Sequence, residues 1–217
     1  GLPTAKGSSE PIASAAVASA LADDIGYPVI IKAAAGGGGI GMQIVHQADE
    51  FESALKLCQS RAKSAFGDER VFVEKYIQGA QHVEFQVLAD GKNAIHFGER
   101  FCSIQRRHQK LVEEGPWLTD EKRSEIGSLV CKGAEAVGYK GLATFEFLRD
   151  ANGDFYFLEV NPRVQVEHTV TELITGYNLV ELGIRVAQGE ALPLKQEDIT
   201  WRGHAIQCRL NAEDPRE

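Results

Sequence analysis

The dipeptide Asn152-Gly153 constrains the fold of this chain more than any other short feature. It lies between two segments rich in apolar and aromatic residues, 142–149 and 154–160. Asn-Gly favours the type I′ turn, in which two residues with positive φ angles connect antiparallel strands. The sequence therefore predicts a β-hairpin with a two-residue turn at this point.

Counting outward from that turn predicts which residues face each other. The register pairs Leu148 with Phe157 and then Glu146 with Glu159. Opposite residues have Cβ atoms about 4.5–5.5 Å apart, where like charges destabilise a sheet. Side chains alternate along a strand, so Asn161 shares the face of Glu159. Such oxygen ligands suit Mg²⁺ or Mn²⁺. The alternatives are a tolerated pair on a solvated face, or a one-residue bulge that breaks the register.

A run of four glycines, 36–39, separates two predicted strands at 27–32 and 42–45. Consecutive glycines lose much backbone entropy on folding, which favours a loop whose N–H groups approach an anion such as phosphate. The run lacks the G-K-[ST] of a P-loop, and the strand after it excludes a dinucleotide-binding fingerprint. It therefore predicts a flap over a nucleotide, with the ammonium of Lys32 near the phosphates. A flexible hairpin tip is the alternative.

The rest of the chain mixes strands and helices without regular βαβ alternation, which predicts an α+β fold. Helices are expected at 9–25, 49–66 with Asp49 as cap, 119–137 with Thr119 as cap, 169–174 and 179–188. Further strands are expected at 70–76, 82–88, 94–98 and 204–210. Two lobes follow, 1–77 and 78–217.

Composition excludes several classes of protein. The net charge of −8 argues against a nucleic-acid binder, and no apolar run is long enough to span a membrane. The four cysteines include no C-x-x-C pair, so we expect free thiols in a reducing compartment rather than structural zinc. Because the first residue is not Met, the chain is expected to be a piece of a longer protein.

The segment after the hairpin carries a second group of polar residues. Arg163, Gln165 and Glu167 would alternate on one side if this segment stays extended. A guanidinium can grip an oxyanion, and a carboxylate with a raised pKa can act as a general base. These residues suggest a pocket for a small anionic substrate, although a solvated polar segment fits equally well.

A basic cluster lies in segment 103–114 and contains Arg106, Arg107, His108 and Lys110. In an acidic protein it indicates an anionic partner, or a loop whose charges pair with the adjacent glutamates at 113 and 114. His82 and Arg209 carry no decisive signal by themselves.

Five segments together resemble the biotin carboxylase family. They are YPVIIKAAAGGGGIGM, VEKYIQGAQHVEFQV, ERFCSIQRRHQKLVEE, LEVNPRVQVEHTVTE and CRLNAEDP, and they spread over 27–215. The resemblance implies an ATP-grasp fold with the nucleotide between two lobes under the glycine flap. It also implies a ligase in which bicarbonate and ATP form carboxyphosphate, and biotin on a carrier protein is then carboxylated.

The resemblance also implies roles for individual residues. ATP contacts are expected at Lys32, Gly38, Gly39, Glu74, Lys75, Tyr76, Ile77, His82, Gln105, His108, Glu146, Leu148 and Glu159. Two Mg²⁺ or Mn²⁺ ions are expected at Glu146, Glu159 and Asn161. Bicarbonate is expected at Lys110, Arg163, Gln165 and Val166, with Glu167 as its base and Arg209 stabilising the biotin enolate.

The family pattern further implies a biotin carboxyl carrier protein and a carboxyltransferase as partners, is compatible with a homodimer, and implies a bacterial cytoplasmic or mitochondrial location. Ile40 and Gln43 stand where the family usually has basic residues, and a further ATP-contacting lysine of the family precedes residue 1. Weak or no activity is therefore expected of the chain alone. The alternatives are a carbamoyl-phosphate synthetase, or an inactive nucleotide-binding or assembly domain.

Overall fold

The computed structural model describes residues 1–35, 41–107 and 109–212. These residues form two compact units, one comprising Ala5–Gln78 and the other Gly1–Thr4 with Gly79–Glu217. Among the described residues, no helix combines the length and the apolar character needed to cross a membrane.

The smaller unit packs two helices on an antiparallel sheet. Its described elements are α1 (Ala15–Ile25), β1 (Val29–Ala33), β2 (Met42–Val45), α2 (Ala48–Phe66) and β3 (Val71–Lys75), with strand order β2-β1-β3. The buried residues of α2 are Phe51, Leu55, Cys58 and Ala62, a spacing that places them on one helix face against β1 and β2. Gly67 ends α2 with a φ of 76°, the left-handed conformation that glycine adopts without steric cost.

Two predicted helix starts in this unit are wrong. The first helix begins at Ala15, not residue 9, because the Ser14 hydroxyl accepts a bond from the backbone N–H of Val17 and caps it there. The second has Gln47 at the capping position, and Asp49 lies in its first turn. An acidic residue is favourable there because the helix dipole is positive at that end.

The larger unit is built on an antiparallel sheet with strand order β8-β7-β4-β5-β6-β9 among the described residues. Its strands are β4 (Gln81–Asp90), β5 (Ala94–Arg106), β6 (Gln109–Gly115), β7 (Lys140–Arg149), β8 (Phe155–Asn161) and β9 (Ala205–Cys208). Its helices are α3 (Asp120–Ala136), α4 (His168–Thr175) and α5 (Leu179–Ala187), and Thr119 caps α3 as predicted.

The central strand β4 is buried on both faces, and its alternation separates two environments. Val83, Phe85 and Val87 pack against α3 in an apolar core. The opposite face carries Glu84 and Gln86, both buried. Residues further along that face pack against α5 in a second apolar cluster. The polar half of this face therefore lies inside the protein, where each charged group needs a partner.

The basic segment 103–114 is a β-hairpin, not a loop. Strand β5 continues to Arg106, eight residues beyond its predicted end, and β6 returns from Gln109. Arg107, at the turn, has a φ of 52°. The hairpin matters because its return strand carries Lys110 back toward the centre of the sheet.

The turn at Asn152-Gly153 differs from the predicted two-residue type I′ turn. The backbone N–H of Asp150 donates to Asp154 O at 3.0 Å, and that of Gly153 donates to Asp150 O at 3.1 Å. The Asp150 carboxylate accepts from the N–H groups of Asn152 and Asp154, both at 2.9 Å. The turn is therefore longer than predicted and closes around Asp150.

The longer turn shifts the register by one residue at first, so that Phe157 lies opposite Phe147 rather than Leu148. A bulge between Phe147 and Glu146 then restores the predicted register, since the partner on β8 changes from Phe157 to Glu159 and leaves Leu158 without one. Glu146 does face Glu159. The predicted pair is confirmed because two deviations from the predicted hairpin cancel. The longer turn shifts the register by one residue, and the bulge at Leu158 shifts it back.

Candidate functional site

Glu146 lies at the centre of a polar cluster in the larger unit and has four close polar neighbours. Lys110 Nζ and Asn161 Nδ2 each lie 2.8 Å from Oε1, Gln165 Nε2 lies 2.9 Å from it, and His82 Nε2 lies 2.7 Å from Oε2. Glu146 is only 4% exposed. Burial alone would raise its pKa, but the hydrogen bond from His82 and the charge of Lys110 hold the pKa well below its usual value.

The hydrogen bonds of His82 define its tautomer. Gln105 Nε2 donates to the carbonyl of Cys102 at 2.8 Å, which orients its amide, and lies 2.9 Å from His82 Nδ1. Because that Nε2 is a donor, Nδ1 of His82 must be the acceptor. The ring proton is then on Nε2, which lies 2.7 Å from Glu146 Oε2 but, among the described residues, makes no well-aligned hydrogen bond.

Lys110 is surrounded by three carboxylates. Its ammonium lies 2.8 Å from Glu146 and 2.9 Å from Glu167, and it donates a short bond to Glu84. Burial opposes the charged ammonium, but the charges of Glu84, Glu146 and Glu167 outweigh it and raise the pKa of Lys110. Lys110 is therefore a fixed positive charge with all three of its donors engaged.

Two members of this cluster, Glu84 and Arg100, were not identified from the sequence. Both are fully buried, and Arg100 Nε donates to Glu84 Oε1 at 2.6 Å. Burial would raise the pKa of Glu84, but the charges of Arg100 and Lys110 hold it below its usual value. The available signal was alternation: Glu84 follows His82 on the same face of β4. Arg100 lay beyond the predicted end of its strand, so no such signal applied.

The segment 162–167 does not stay extended, so the predicted alternation is wrong for Arg163. Gln165 and Glu167 are buried, whereas Arg163 is exposed and Val166 is 56% exposed. Arg163 still turns back toward the cluster, with Nη2 3.2 Å from Asn161 Oδ1. Glu167 lies at the start of α4, where it is held 2.9 Å from Lys110.

The remaining predicted residues of the larger unit border this cluster. Glu159 is exposed and faces Glu146 across the β7–β8 ladder. Leu148 is paired with His82 in the β4–β7 ladder. Arg209 follows β9, and its backbone N–H donates to Leu111 O at 2.8 Å. His108 lies outside the described residues.

In the smaller unit, the two predicted lysines already have partners. Lys32 Nζ lies 2.5 Å from Glu74 Oε2, which joins β1 to β3. Lys75 Nζ donates to the carbonyl oxygens of Gly26 and Tyr27, at 2.9 and 3.1 Å. Tyr76 and Ile77 directly follow β3 and are half-buried. Gly38 and Gly39 lie outside the described residues.

The cluster contains several carboxylates close together. Glu84, Glu146 and Glu167 form ion pairs with Lys110, and Glu84 also pairs with Arg100. Single ligand atoms of His82, Glu84 and Glu146 lie within 4.8 Å of one another. Lys110 already bridges the two glutamates of that group.

Comparison with known proteins gives consistent matches. Residues 1–195 match the family described as carbamoyl-phosphate synthase L chain, ATP binding domain. A pyruvate carboxylase subunit from Methanothermobacter thermautotrophicus is 55% identical over 99% of this chain and 44% of its own length. Biotin carboxylase of Pseudomonas aeruginosa is 49% identical over 100% of this chain and 49% of its own length.

Solved structures agree in fold and sequence. The biotin carboxylase domain dimer of 2-oxoglutarate carboxylase from Hydrogenobacter thermophilus, in complex with MgADP, ADP and bicarbonate, is 48% identical with a TM-score of 0.94, covering 99% of this chain and 48% of that one. A biotin carboxylase β-γ-ATP complex from Campylobacter jejuni is 51% identical with a TM-score of 0.93, covering 98% and 48%. The chain thus spans about half the length of these relatives.

Proposed function

The chain belongs to the family of the carbamoyl-phosphate synthase L chain ATP-binding domain, and on that premise we propose that it carries the active centre of a biotin carboxylase. This ATP-grasp ligase would use ATP and Mg²⁺ to carboxylate biotin with bicarbonate through carboxyphosphate. The observation that carries the proposal is the buried Lys110–Glu146–Glu167 cluster beside Arg163. It offers a fixed cation, a metal ligand and a base around one place for a small anion.

The bicarbonate pocket is proposed at Lys110, Arg163, Gln165 and Val166. Lys110 and Arg163 would hold the anion by charge, and Glu167, bonded to Lys110 at 2.9 Å, would take its proton. Burial of Gln165 and Glu167 excludes water from this side of the pocket. Arg209 would stabilise negative charge that develops on biotin.

Nucleotide and metal contacts are proposed at residues between Lys32 and Asn161. Glu146, Glu159 and Asn161 would hold Mg²⁺ or Mn²⁺, which would offset phosphate charge during phosphoryl transfer. The residues proposed to contact ATP are Lys32, Gly38, Gly39, Glu74, Lys75, Tyr76, Ile77, His82, Gln105, His108 and Leu148. A release of Lys32 from Glu74 would be needed before its ammonium could meet phosphate.

Carbamoyl-phosphate synthesis is the competing activity, since the family is named after that enzyme. The 49% to 55% identity to a biotin carboxylase and a pyruvate carboxylase subunit favours the biotin reaction. A biotin carboxyl carrier protein, a carboxyltransferase and a second copy of the chain are the partners that this proposal entails. Because the relatives are about twice as long, we also propose that these 217 residues have only weak catalytic activity by themselves.

The test measures ADP release by the full natural polypeptide that carries this sequence, with bicarbonate and free biotin omitted in turn. We expect release to require both, and Glu167→Gln to lower kcat by about 10²–10⁴-fold because the base is lost. Glu181→Gln, an exposed charge-matched change on α5, is the control and should leave kcat unaltered. Cleavage that needs ammonia instead of biotin, or no cleavage at all, would exclude the proposal in favour of the synthetase or the assembly domain.

A further inference from the structure

Arg100 is a fully buried arginine whose hydrogen-bonding capacity is saturated. Its guanidinium has five N–H donors. Nε bonds Glu84, Nη1 bonds Gln86 and Thr171 at 2.9 and 2.8 Å, and Nη2 lies 3.4 Å from acceptors on Thr144 and Gln165. These acceptors come from β4, β7, α4 and the segment that precedes α4. One side chain therefore joins four segments that contribute residues to the protein around the cluster.

Arg100 binds one polar atom of the Glu84 side chain and one of the Gln165 side chain. The second polar atom of each side chain is directed to the cluster. Glu84 receives Arg100 on Oε1 and Lys110 on Oε2. Gln165 receives Arg100 on Oε1, so its Nε2 donates to Glu146 at 2.9 Å. If Gln165 rotated its amide, an N–H would face the guanidinium and a carbonyl would face a carboxylate, and both contacts are repulsive.

We propose that Arg100 is a positioning residue of the anion pocket, which fixes the amide of Gln165 directly and the ammonium of Lys110 through Glu84. The proposal rests on the proposed function, in which Gln165 and Lys110 hold bicarbonate. In this role Arg100 contacts neither substrate nor metal. It acts through Gln165 and through Glu84, which it binds directly.

A lysine cannot replace Arg100 in this role. An ammonium keeps the positive charge but offers three donors from a single atom, whereas Arg100 reaches five acceptors from the three separate nitrogens of its fork. Lysine could satisfy Glu84, but not Gln165 and Thr171 at the same time. Arg100→Lys therefore separates the geometry of the fork from its charge.

The chain offers a matched control in Arg123. It is also a buried arginine of the larger unit, 3% exposed, and it holds the buried carboxylate of Glu99 with bonds of 2.8 and 3.1 Å. Its remaining bonds go to Asp120 and to the carbonyl of Leu118, not to the polar cluster. Loss of its fork should reduce stability without moving Gln165 or Lys110.

The experiment compares Arg100→Lys with Arg123→Lys in the full polypeptide, using ATP cleavage at varied bicarbonate and varied ATP. We expect Arg100→Lys to lower kcat/KM for bicarbonate by about 10–100-fold, the range typical of residues that orient ligands. The KM for ATP should change little, and Arg123→Lys should leave both constants near wild type. Equal effects of the two variants on bicarbonate, or no effect of Arg100→Lys, would overturn the proposal.

Two further measurements keep the result decisive. Thr171→Val removes one acceptor of Arg100 and should raise the KM for bicarbonate in the same direction by a smaller factor, so it replaces Arg100→Lys if that variant does not fold. Hydrogen exchange of segment 162–171 should be faster in Arg100→Lys than in Arg123→Lys, whether or not the protein uses bicarbonate. An inactive wild type would refute the proposed function alone, whereas unchanged exchange in this segment would refute the role of Arg100.

Discussion

Lys110 shows how strongly single residues depend on one another in this cluster. Its ammonium compensates Glu84, Glu146 and Glu167, which burial would otherwise make costly to ionise. The low pKa of Glu146 and the high pKa of Lys110 have the same origin, since each group stabilises the charge of the other. The arrangement keeps the buried carboxyl group of Glu146 ionised.

Replacing Lys110 by methionine should therefore lower the free energy of unfolding at neutral pH. The remaining buried carboxylates would repel one another, and breaking a buried ion pair in this way costs about 3–5 kcal/mol. Without Lys110, burial would raise the pKa of Glu84 and Glu146, so they would take up protons as the pH falls. The loss in free energy of unfolding relative to wild type should thus be smaller at pH 5 than at pH 7.

The measurement is denaturant unfolding followed by tryptophan fluorescence, which reports the larger unit because Trp117 and Trp201 both lie in it. Lys122→Met is the control, as Lys122 makes an exposed i,i+3 pair with Glu125. Such a pair contributes about 0–1 kcal/mol. A Lys110→Met protein that loses equal stability at both pH values would contradict this account.

Alternation along the hairpin placed Glu146 opposite Glu159, although that pairing also needs the bulge at Leu158. The role of these two residues and Asn161 as metal ligands stays a prediction. Arg100 could not be found in this way, because a charged residue in an apolar strand gives no sign of where its partners lie. Those partners come from positions 84 to 171 and meet only through the tertiary fold.

At the scale of elements, the hairpin formed by β7 and β8 shows what short-range signals can and cannot predict. The Asn152-Gly153 pattern placed the two strands correctly but assigned the wrong turn type. The type I′ preference competes with Asp150, whose carboxylate binds two backbone N–H groups and enlarges the turn. The bulge at Leu158 then restores the pairing of the glutamates, and no local sequence signal specifies it.

This turn leads to a prediction about which of its residues matter. Gly153 has a φ of 92°, and an added Cβ would lie 3.1 Å from Arg149 Nη2. Gly153→Ala should therefore lower the free energy of unfolding by about 1–2 kcal/mol, the cost of forcing an L-residue to positive φ. Asp150→Ala should destabilise more than Asn152→Ala, because only the former removes acceptors from two backbone N–H groups.

Thermal unfolding of the three single variants checks this order. Asn152→Ala serves as the internal control, since it leaves Gly153 and the Asp150 carboxylate in place. If Asn152→Ala were the most damaging of the three, the two-residue turn predicted from the sequence would describe the hairpin better than the turn closed by Asp150.

At the scale of the whole molecule, the predicted α+β class and the resemblance to biotin carboxylases are confirmed by the fold and by the solved relatives. The class was predictable because strand and helix patterns alternate irregularly along the chain. The pairing order was not, because β9 joins the sheet beside β6 from about 90 residues away, as in the pair formed by Glu113 and Gln207. Such long-range pairing leaves no trace in local periodicity.

The stability of the larger unit should depend on pH through His96, which lies where distant segments meet. His96 is 4% exposed, its ring stacks on Trp201 at 5.9 Å, and its backbone bonds the side chain of Gln196. Helix α3 approaches so closely at Gly127 that an added Cβ would lie 2.3 Å from the ring. Burial lowers the pKa of His96 to about 4; Glu99 opposes this and Arg123 adds to it.

The sign of the effect follows from proton uptake. The unfolded chain protonates this imidazole near its ordinary pKa of about 6.5, whereas the folded protein keeps it neutral until the pH approaches about 4. Stability is therefore fully present above about pH 6.5 and is lost as the pH falls toward 4. Between pH 7 and pH 5 the single-site linkage relation gives a loss of about 2 kcal/mol. The buried carboxylates Glu84 and Glu146 add little in this window, because their pKa values lie below the ordinary value of a carboxyl group.

Unfolding of wild type and His96→Gln, followed by tryptophan fluorescence at pH 7, 6 and 5, measures this contribution as a difference in slope. We expect the variant to lose about 2 kcal/mol less than wild type over the range, even if it is less stable at pH 7. His46→Gln changes an exposed histidine of the smaller unit and should keep the wild-type slope. Parallel slopes for wild type and His96→Gln would mean that acid destabilises this unit through groups other than His96.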